Sequence, residues 1–323
     1  MNFKSYPIKF EPILKSKIWG GEKLNTILNK SALSDDTGES WEISGVKGDV
    51  SIIANGPYKN QSLLELLETS GNKVLGSRLH AVFGTQFPLL IKYIDAKQDL
   101  SIQLHPNDEL AARRHNSFGK TEMWYVMQAE ERSNLIVGFN QKMNAELYSK
   151  HLQEKSLAEI MNFIPVSSGD TFFIEVGRVH AIGAGVLLAE IQQTSDITYR
   201  VYDWDRVDAN GNRRELHNDL AIDAIDFDMP DDFKVDYTNQ LNSRNSMVEC
   251  PYFKTGIIPV SGTLTRINTF DSFIIYMCVE GEVELIVGDF SEFLKMGETV
   301  LIPASASKIV IKGDQSKLLE VYT

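Results

Sequence analysis

Along this chain, apolar and polar positions alternate mostly in short runs with a period of two. Such runs fall at 41–45 (WEISG), 51–56 (SIIANG), 87–96 (FPLLIKYIDA), 100–106 (LSIQLHP) and 121–128 (TEMWYVMQ). Others follow at 134–139 (NLIVGF), 171–177 (TFFIEVG) and 185–192 (GVLLAEIQ). Gly, Asn, Asp or Pro punctuates them, so they read as strands of a sandwich or barrel and not as βαβ units. Helical spacing is rarer. It marks 61–68 (QSLLELLE) and the longer 144–163 (NAELYSKHLQEKSLAEIMNF), a helical insert between strands. Residues 226–248 are polar, acidic and weakly periodic, which predicts a linker or exposed crossover. After it, about 80 residues of nearly pure strand pattern predict a second β-region.

Composition places the chain among ordinary globular proteins: 323 residues, 43% apolar and 24% charged. At roughly 100–200 residues per domain, two domains are expected. Lys and Arg number 32 against 44 Asp and Glu, a net charge of −12. An acidic chain without a basic run is a poor ligand for nucleic acid or an anionic membrane. If its ligand is an anion, a local cluster of Lys and Arg must oppose the global charge. No run approaches the ~20 apolar residues of a membrane span. The first ten residues lack a continuous apolar segment, and two cysteines make no disulfide scaffold. The expected location is the cytoplasm.

The two β-regions look related. Gly169-Asp-Thr-Phe-Phe-Ile-Glu175-Val-Gly177-Arg-Val-His180 in the first aligns with Gly297-Glu-Thr-Val-Leu-Ile-Pro303-Ala-Ser305-Ala-Ser-Lys308 in the second. Both resemble the G-x5-P-x-G-x2-H motif of the cupin barrels. The first has Glu175 for the Pro; the second has Ser305 and Lys308 for the last Gly and the His. A mainly β chain of two cupin-like jelly-roll barrels is therefore expected, only the first able to hold a metal.

Within that first barrel the histidines carry chemistry. Gln103 and His105 are two apart in a strand pattern and so share a face. Glu122 opens the next strand 17 residues after His105, and His180 follows 58 residues later. Two imidazoles, a carboxylate and an amide oxygen form an N/O donor set suited to Zn²⁺ and also to Fe²⁺ or Mn²⁺. The remaining histidines (80, 115, 151 and 217) read as structural or loop residues, with Arg113–His115 in a solvated loop.

Several further segments make the pattern specific. They are Lys17-Ile-Trp19-Gly-Gly21, Gly38-Glu-Ser-Trp41-Glu-Ile-Ser44, Pro88-Leu-Leu-Ile-Lys92 and Leu100-Ser-Ile-Gln103-Leu-His105-Pro106. Gly119-Lys120-Thr-Glu122-Met-Trp124-Tyr125, Val179-His180-Ala181, Glu190, Thr198-Tyr-Arg200-Val-Tyr-Asp203 and Arg214-Glu-Leu-His217 complete the set. Together they resemble the short bacterial form of type I phosphomannose isomerase. That resemblance implies zinc-dependent interconversion of mannose 6-phosphate and fructose 6-phosphate, with one Zn²⁺ per chain held by Gln103, His105, Glu122 and His180. It also implies that Lys92, Lys120, Glu190 and Arg200 line the substrate pocket.

The chemistry asks for a base near C1 and C2, a Lewis acid at the developing oxyanion and a cationic seat for phosphate. Lys120 and Glu190 are equal candidates for proton transfer, with Arg200 and Lys92 in support. Trp19, Trp41, Trp124 and Tyr199 are either sugar-stacking or core aromatics, Trp19 being the binding candidate. The expected division is a catalytic unit of residues 1–235, with its helical insert near 141–163, and a degenerate cupin-like unit of residues 236–323. The expected state is a monomer or homodimer. Two alternatives stay open: an iron-dependent cupin oxygenase, and a non-catalytic cupin that senses sugar phosphate.

Overall fold

Period-two alternation becomes three large sheets and a two-stranded one (Gly45–Val46 with Asp49–Val50) in the computed structural model, which describes residues 3–32, 34–208, 210–228 and 232–323. A six-stranded sheet runs Ile13–Gly21, Thr37–Ile43, Leu89–Ala96, Val186–Gln193, Glu122–Ala129, Thr171–Ile174 in spatial order. A five-stranded sheet runs Tyr199–Tyr202, Ile102–Leu104, His180–Ile182, Asn134–Phe139, Met161–Pro165. All the pairings within these two sheets are antiparallel. The C-terminal sheet has seven strands, with Lys308–Tyr322 pairing Lys254–Ile267, Ile274–Glu280 and Glu282–Val287. The chain is mainly β and cupin-like, as expected.

Each face of the six-stranded sheet has a different job. Leu89, Ile91, Tyr93, Met123, Tyr125, Leu187, Ala189 and Ile191 point outward and share one apolar core with Phe253, Ile257, Phe273, Ile275 and Leu319 of the C-terminal sheet. The alternate positions, among them Ile94, Trp124, Val126 and Leu188, point inward and pack with Trp19, Leu135, Val137 and Phe172. On the five-stranded sheet, Ile102, Leu104, Tyr199 and Val201 face outward and are covered by Tyr148, Leu157, Ile160 and Ala221. Gln103 and Arg200 are therefore turned inward. The C-terminal barrel has its own apolar filling, including Ile258, Tyr276, Leu285, Leu294 and Ile311.

The internal repeat is visible in the backbone. Gly169 (φ +94°) and Gly297 (φ +87°) both occupy the left-handed region that favours glycine. Each precedes a four-residue strand, Thr171–Ile174 and Thr299–Ile302, and His180 and Lys308 each open the strand that follows.

Three expectations shift. The helical insert is shorter: a helix at Ala145–Gln153 and a 3-10 turn at Leu157–Ile160, after which Met161–Pro165 joins the sheet. Arg113–His115 end a helix, Asp108–His115, capped by the Asn107 side chain and closed by Asn116 at φ +50°. The stretch 226–248 is not a free crossover, though its residues 229–231 lie outside the described ones. Phe233 packs against the first barrel, Lys234 pairs with Asp170 at 2.7 Å, and Tyr237 Oη donates to Gly169 O at 2.6 Å. No helix among the described residues is long and apolar enough to cross a membrane.

Candidate active site

Two rows of cross-strand neighbours build the site. In the six-stranded sheet, Trp41 pairs with Lys92, Lys92 with Glu190, Glu190 with Trp124 and Trp124 with Phe172. In the five-stranded sheet, Arg200 pairs with Gln103 and Gln103 with His180. Residues paired across a sheet share a face, and Trp41, Lys92, Glu190, Trp124, Arg200, Gln103 and His180 line one pocket between the rows. The pocket and its mouth enclose about 730 Å³.

On one wall, His105, Glu122 and His180 bring ligand atoms within 4.8 Å of one another, and all three are buried. His105 Nδ1 lies 2.8 Å from Ile197 O, and His180 Nδ1 lies 2.8 Å from Arg178 O. A carbonyl oxygen can only accept, so each Nδ1 carries the proton and each Nε2 presents its lone pair. His105 Nε2 is 3.5 Å and His180 Nε2 3.4 Å from the Glu122 carboxylate.

Neither Glu122 oxygen nor His180 Nε2 has a hydrogen-bond partner among the described residues. The Lys120 ammonium is the nearest charge, 3.0 Å from Glu122 Oε2 and 3.1 Å from His105 Nε2. Burial pushes the Glu122 carboxyl up to about 7 despite Lys120 beside it. Burial, followed by Lys120 and His180, holds His105 well below the usual histidine range, and burial takes His180 down to about 4. A buried carboxylate approached by Lys120 alone among the described lysines and arginines, with two neutral imidazoles aimed at it, fits a bound divalent cation.

The opposite wall is a charge lattice. Lys92 Nζ donates to Glu190 Oε1 at 2.9 Å, and Trp124 Nε1 donates to Glu190 Oε2 at 2.9 Å. Burial pushes the Glu190 carboxyl up, but Lys92 and Lys120 overcome it and hold it at about 2. Arg200 donates through Nε to Ser101 Oγ (3.2 Å) and through Nη1 to Glu215 O (2.9 Å), while Nη2 donates no hydrogen bond among the described residues. Asp203 is instead taken by Arg206 and Arg214. Burial and then Arg214 pull the Arg200 pKa below its ordinary value. With Lys17, Lys92, Lys120 and Arg214, it gives the pocket the local cationic cluster that the acidic chain lacks globally.

Every sequence-derived site residue reaches this place: Gln103, Lys92, Lys120, Glu190, Arg200 and Trp19 line the pocket, with His180, and His105 and Glu122 stand at its wall. Gln103 Oε1 accepts from Ser101 Oγ at 3.3 Å. Trp19 is both pocket wall and core. Glu39 was not foreseen. It lines the pocket, accepts from Trp41 Nε1 at 2.7 Å and lies 3.3 Å from Lys17 Nζ. The Gly38–Trp41 segment was its only sequence signal. Arg113 and Arg114 do not line the pocket; Arg114 pairs with Asp223 at 2.6 Å.

Comparison with known proteins agrees with this geometry. The family model for the catalytic domain of type I phosphomannose isomerase matches residues 8–158, and that for the cupin domain of mannose-6-phosphate isomerase matches residues 243–323. Mannose-6-phosphate isomerase ManA of Bacillus subtilis (strain 168) is 35% identical over 310 residues, 95% of this chain and 96% of that protein. The chain belongs to the type I phosphomannose isomerases. A second family relative, mannose-6-phosphate isomerase of Streptococcus mutans, is 32% identical over 95% of this chain and 96% of its own length. The crystal structure of the Bacillus subtilis mannose 6-phosphate isomerase superposes with a TM-score of 0.89 at 34% identity, covering 99% of this chain and 100% of that one. The apo form from Salmonella typhimurium shares the fold at 18% identity, with a TM-score of 0.79 over 99% of this chain and all of that one.

Proposed function

We propose that this chain interconverts mannose 6-phosphate and fructose 6-phosphate through a cis-enediol, using one Zn²⁺ held by His105, Glu122 and His180 with Gln103 as fourth ligand. The observation that carries it is the pairing of buried Glu122, and the His105 and His180 Nε2 atoms that face it, with a Lys/Arg-walled pocket. A bound zinc ion supplies Lewis acidity toward the substrate's carbonyl and hydroxyl oxygens.

Isomerisation moves one proton from C2 to C1 and one between the two oxygens, so it needs no oxidant or reductant. Glu190 is poorly suited to be the base: both its oxygens are occupied and its pKa is held at about 2. We assign proton transfer to Lys120 Nζ, and to Lys92 and Glu190 the task of holding each other as a fixed ion pair. Arg200, with Nη2 uncommitted, takes negative charge on the substrate. Trp19 supplies an aromatic wall to the sugar.

The same reading makes residues 1–235 the catalytic unit and residues 236–323 a capping unit, in a cytoplasmic enzyme. The five lysine and arginine side chains around the pocket favour a phosphorylated substrate over the small organic substrate of an iron oxygenase. The test is a coupled assay of mannose 6-phosphate conversion before and after chelation and with zinc restored. Chelator-sensitive turnover rescued by zinc is expected. Binding of sugar phosphate by the zinc-loaded protein without conversion would replace the isomerase with a sensor.

A further inference from the structure

Lys120 lies just before the strand Glu122–Ala129, and its peptide is held on both sides by a hydrogen-bonded chain that begins in the C-terminal half. Tyr252 Oη donates to Asp108 Oδ2 at 2.8 Å. Asp108 Oδ1 accepts from the Gly119 amide at 2.8 Å and from Gln193 Nε2 at 3.1 Å. Gln193 Oε1 accepts from the Thr121 amide at 2.9 Å, and the Gln193 amide donates to Thr121 O at 3.1 Å. Gly119 has no room for a side chain: a Cβ would lie 2.8 Å from Asp108 N and 3.0 Å from Pro106 O. The loop is thus pressed onto the backbone that follows His105. Gln193 in turn ends the strand that carries Glu190.

We propose that Tyr252, Asp108 and Gln193 are positioning residues that fix Lys120 Nζ relative to His105 and Glu190, so that the C-terminal half contributes to turnover through Tyr252. The inference rests on the assignment of Lys120 to proton transfer. None of the three residues lines the pocket, so they act on kcat and not on substrate affinity. Displacing a reacting group by about 1 Å costs on the order of 10²-fold in rate. Asp108 and Gln193 are the links whose loss frees the Lys120 backbone. Tyr252 tunes them by holding the second Asp108 oxygen.

The experiment measures kcat, KM, zinc content and Tm for Tyr252→Phe, Asp108→Ala, Asp108→Asn and Gln193→Met, each alone and with Lys120→Met. Asp108→Ala and Gln193→Met are expected to lower kcat by about 10- to 100-fold, with KM within about twofold and zinc content unchanged. Tyr252→Phe is expected to lower kcat about threefold with little change in Tm. Asp108→Asn is expected to recover kcat. Its amide oxygen still accepts from Gly119 and Gln193, and its NH₂ donates to Tyr252 Oη. In the Lys120→Met background the same substitutions are expected to cost nothing further.

Normal kcat in Asp108→Ala and Gln193→Met overturns the proposal, as does a loss that persists undiminished without Lys120. A fall in kcat that only tracks a fall in Tm and zinc content also overturns it. Lys120→Met with normal kcat refutes the Lys120 assignment itself, independently of the network. Should Asp108→Ala fail to fold, Gln193→Met and Tyr252→Phe still decide the outcome.

Discussion

Lys92 Nζ and Glu190 Oε1 lie 2.9 Å apart as directly opposed residues of neighbouring strands, both buried. Removing two charges from water is costly, and the pair persists because each satisfies the other and Trp124 completes the carboxylate. The pairing places a permanent anion and cation behind the reacting groups. It also suits Glu190 to a supporting role, in keeping with the proposed assignment of proton transfer to Lys120.

Removing one partner leaves a buried charge uncompensated. Lys92→Met is therefore expected to destabilise the fold by roughly 3–5 kcal/mol, and Lys92→Met with Glu190→Gln to recover much of it. Urea unfolding of the single and double variants checks this; equal stabilities would refute it. The pH dependence has a definite sign. Glu190 is held at about 2, below the ordinary carboxylate value. Its contribution is complete above about pH 4.5 and lost as pH falls toward 2. Lys92 is shifted upward, since Glu190 and Glu39 overcome its burial, so its share is lost only at strongly alkaline pH. Glu190→Gln should flatten the acid limb of the stability profile, and an unchanged limb would count against the pair.

His105→Ala and His180→Ala each remove one Nε2 from the buried cluster, leaving too few donors for tight binding of a divalent ion. Both variants are expected to lose zinc after dialysis, with affinity reduced at least about 100-fold. Stoichiometric zinc in either, measured by elemental analysis, would sink that residue's assignment.

The strands were legible because one face of each commonly meets core and the other solvent or pocket. The strand Val186–Gln193, like its neighbour Leu89–Ala96, was an exception. The outer face of Val186–Gln193 meets the C-terminal sheet and its inner face the first barrel's core and pocket, so all eight residues are buried and alternation disappears. The direction of Glu190 was therefore undecidable from sequence, although its partner Lys92 was already in view. The helix Asp108–His115 escaped because only Leu110 and Ala111 are buried, too few to make a stripe; its signal lay in the caps. His105, Glu122 and His180 were recognisable because all three sit in motif segments. Glu39 was not, since a carboxylate near a strand start reads as solvated until Lys17 and Trp41 are seen around it. The network through Tyr252 joins residues 144 apart and has no local signal at all.

Arg200 is half-buried, and its guanidinium pairs with no carboxylate among the described residues. Such a group suits an anionic substrate more than fold stability. Arg200→Ala is expected to retain zinc and Tm while losing at least about 100-fold in kcat/KM. Arg200→Lys is expected to recover little, because an ammonium cannot keep the Ser101 and Glu215 bonds and still present a planar donor pair. Near-normal kcat/KM in Arg200→Ala would remove it from the site.

Lys308 stands where the internal repeat places His180, and the two positions have opposite surroundings. His180 is buried against Glu122; Lys308 is exposed at the start of the last strand. The interior of its barrel is filled by Ile258, Tyr276, Leu285 and Ile311, which offer no cluster of nitrogen or oxygen ligands to an ion. The cation sits where a ligand would be needed, and the space is taken by packing. Lys308→Ala is therefore expected to leave zinc stoichiometry and kcat unchanged and to move stability by no more than about 0.5 kcal/mol, the usual effect of a surface change. Lys308→His tests the same point from the other direction: it restores the motif residue without the remaining donors and should bind no second zinc ion. Two zinc ions per chain in Lys308→His, or loss of the first in Lys308→Ala, would overturn the assignment of all metal chemistry to the first barrel.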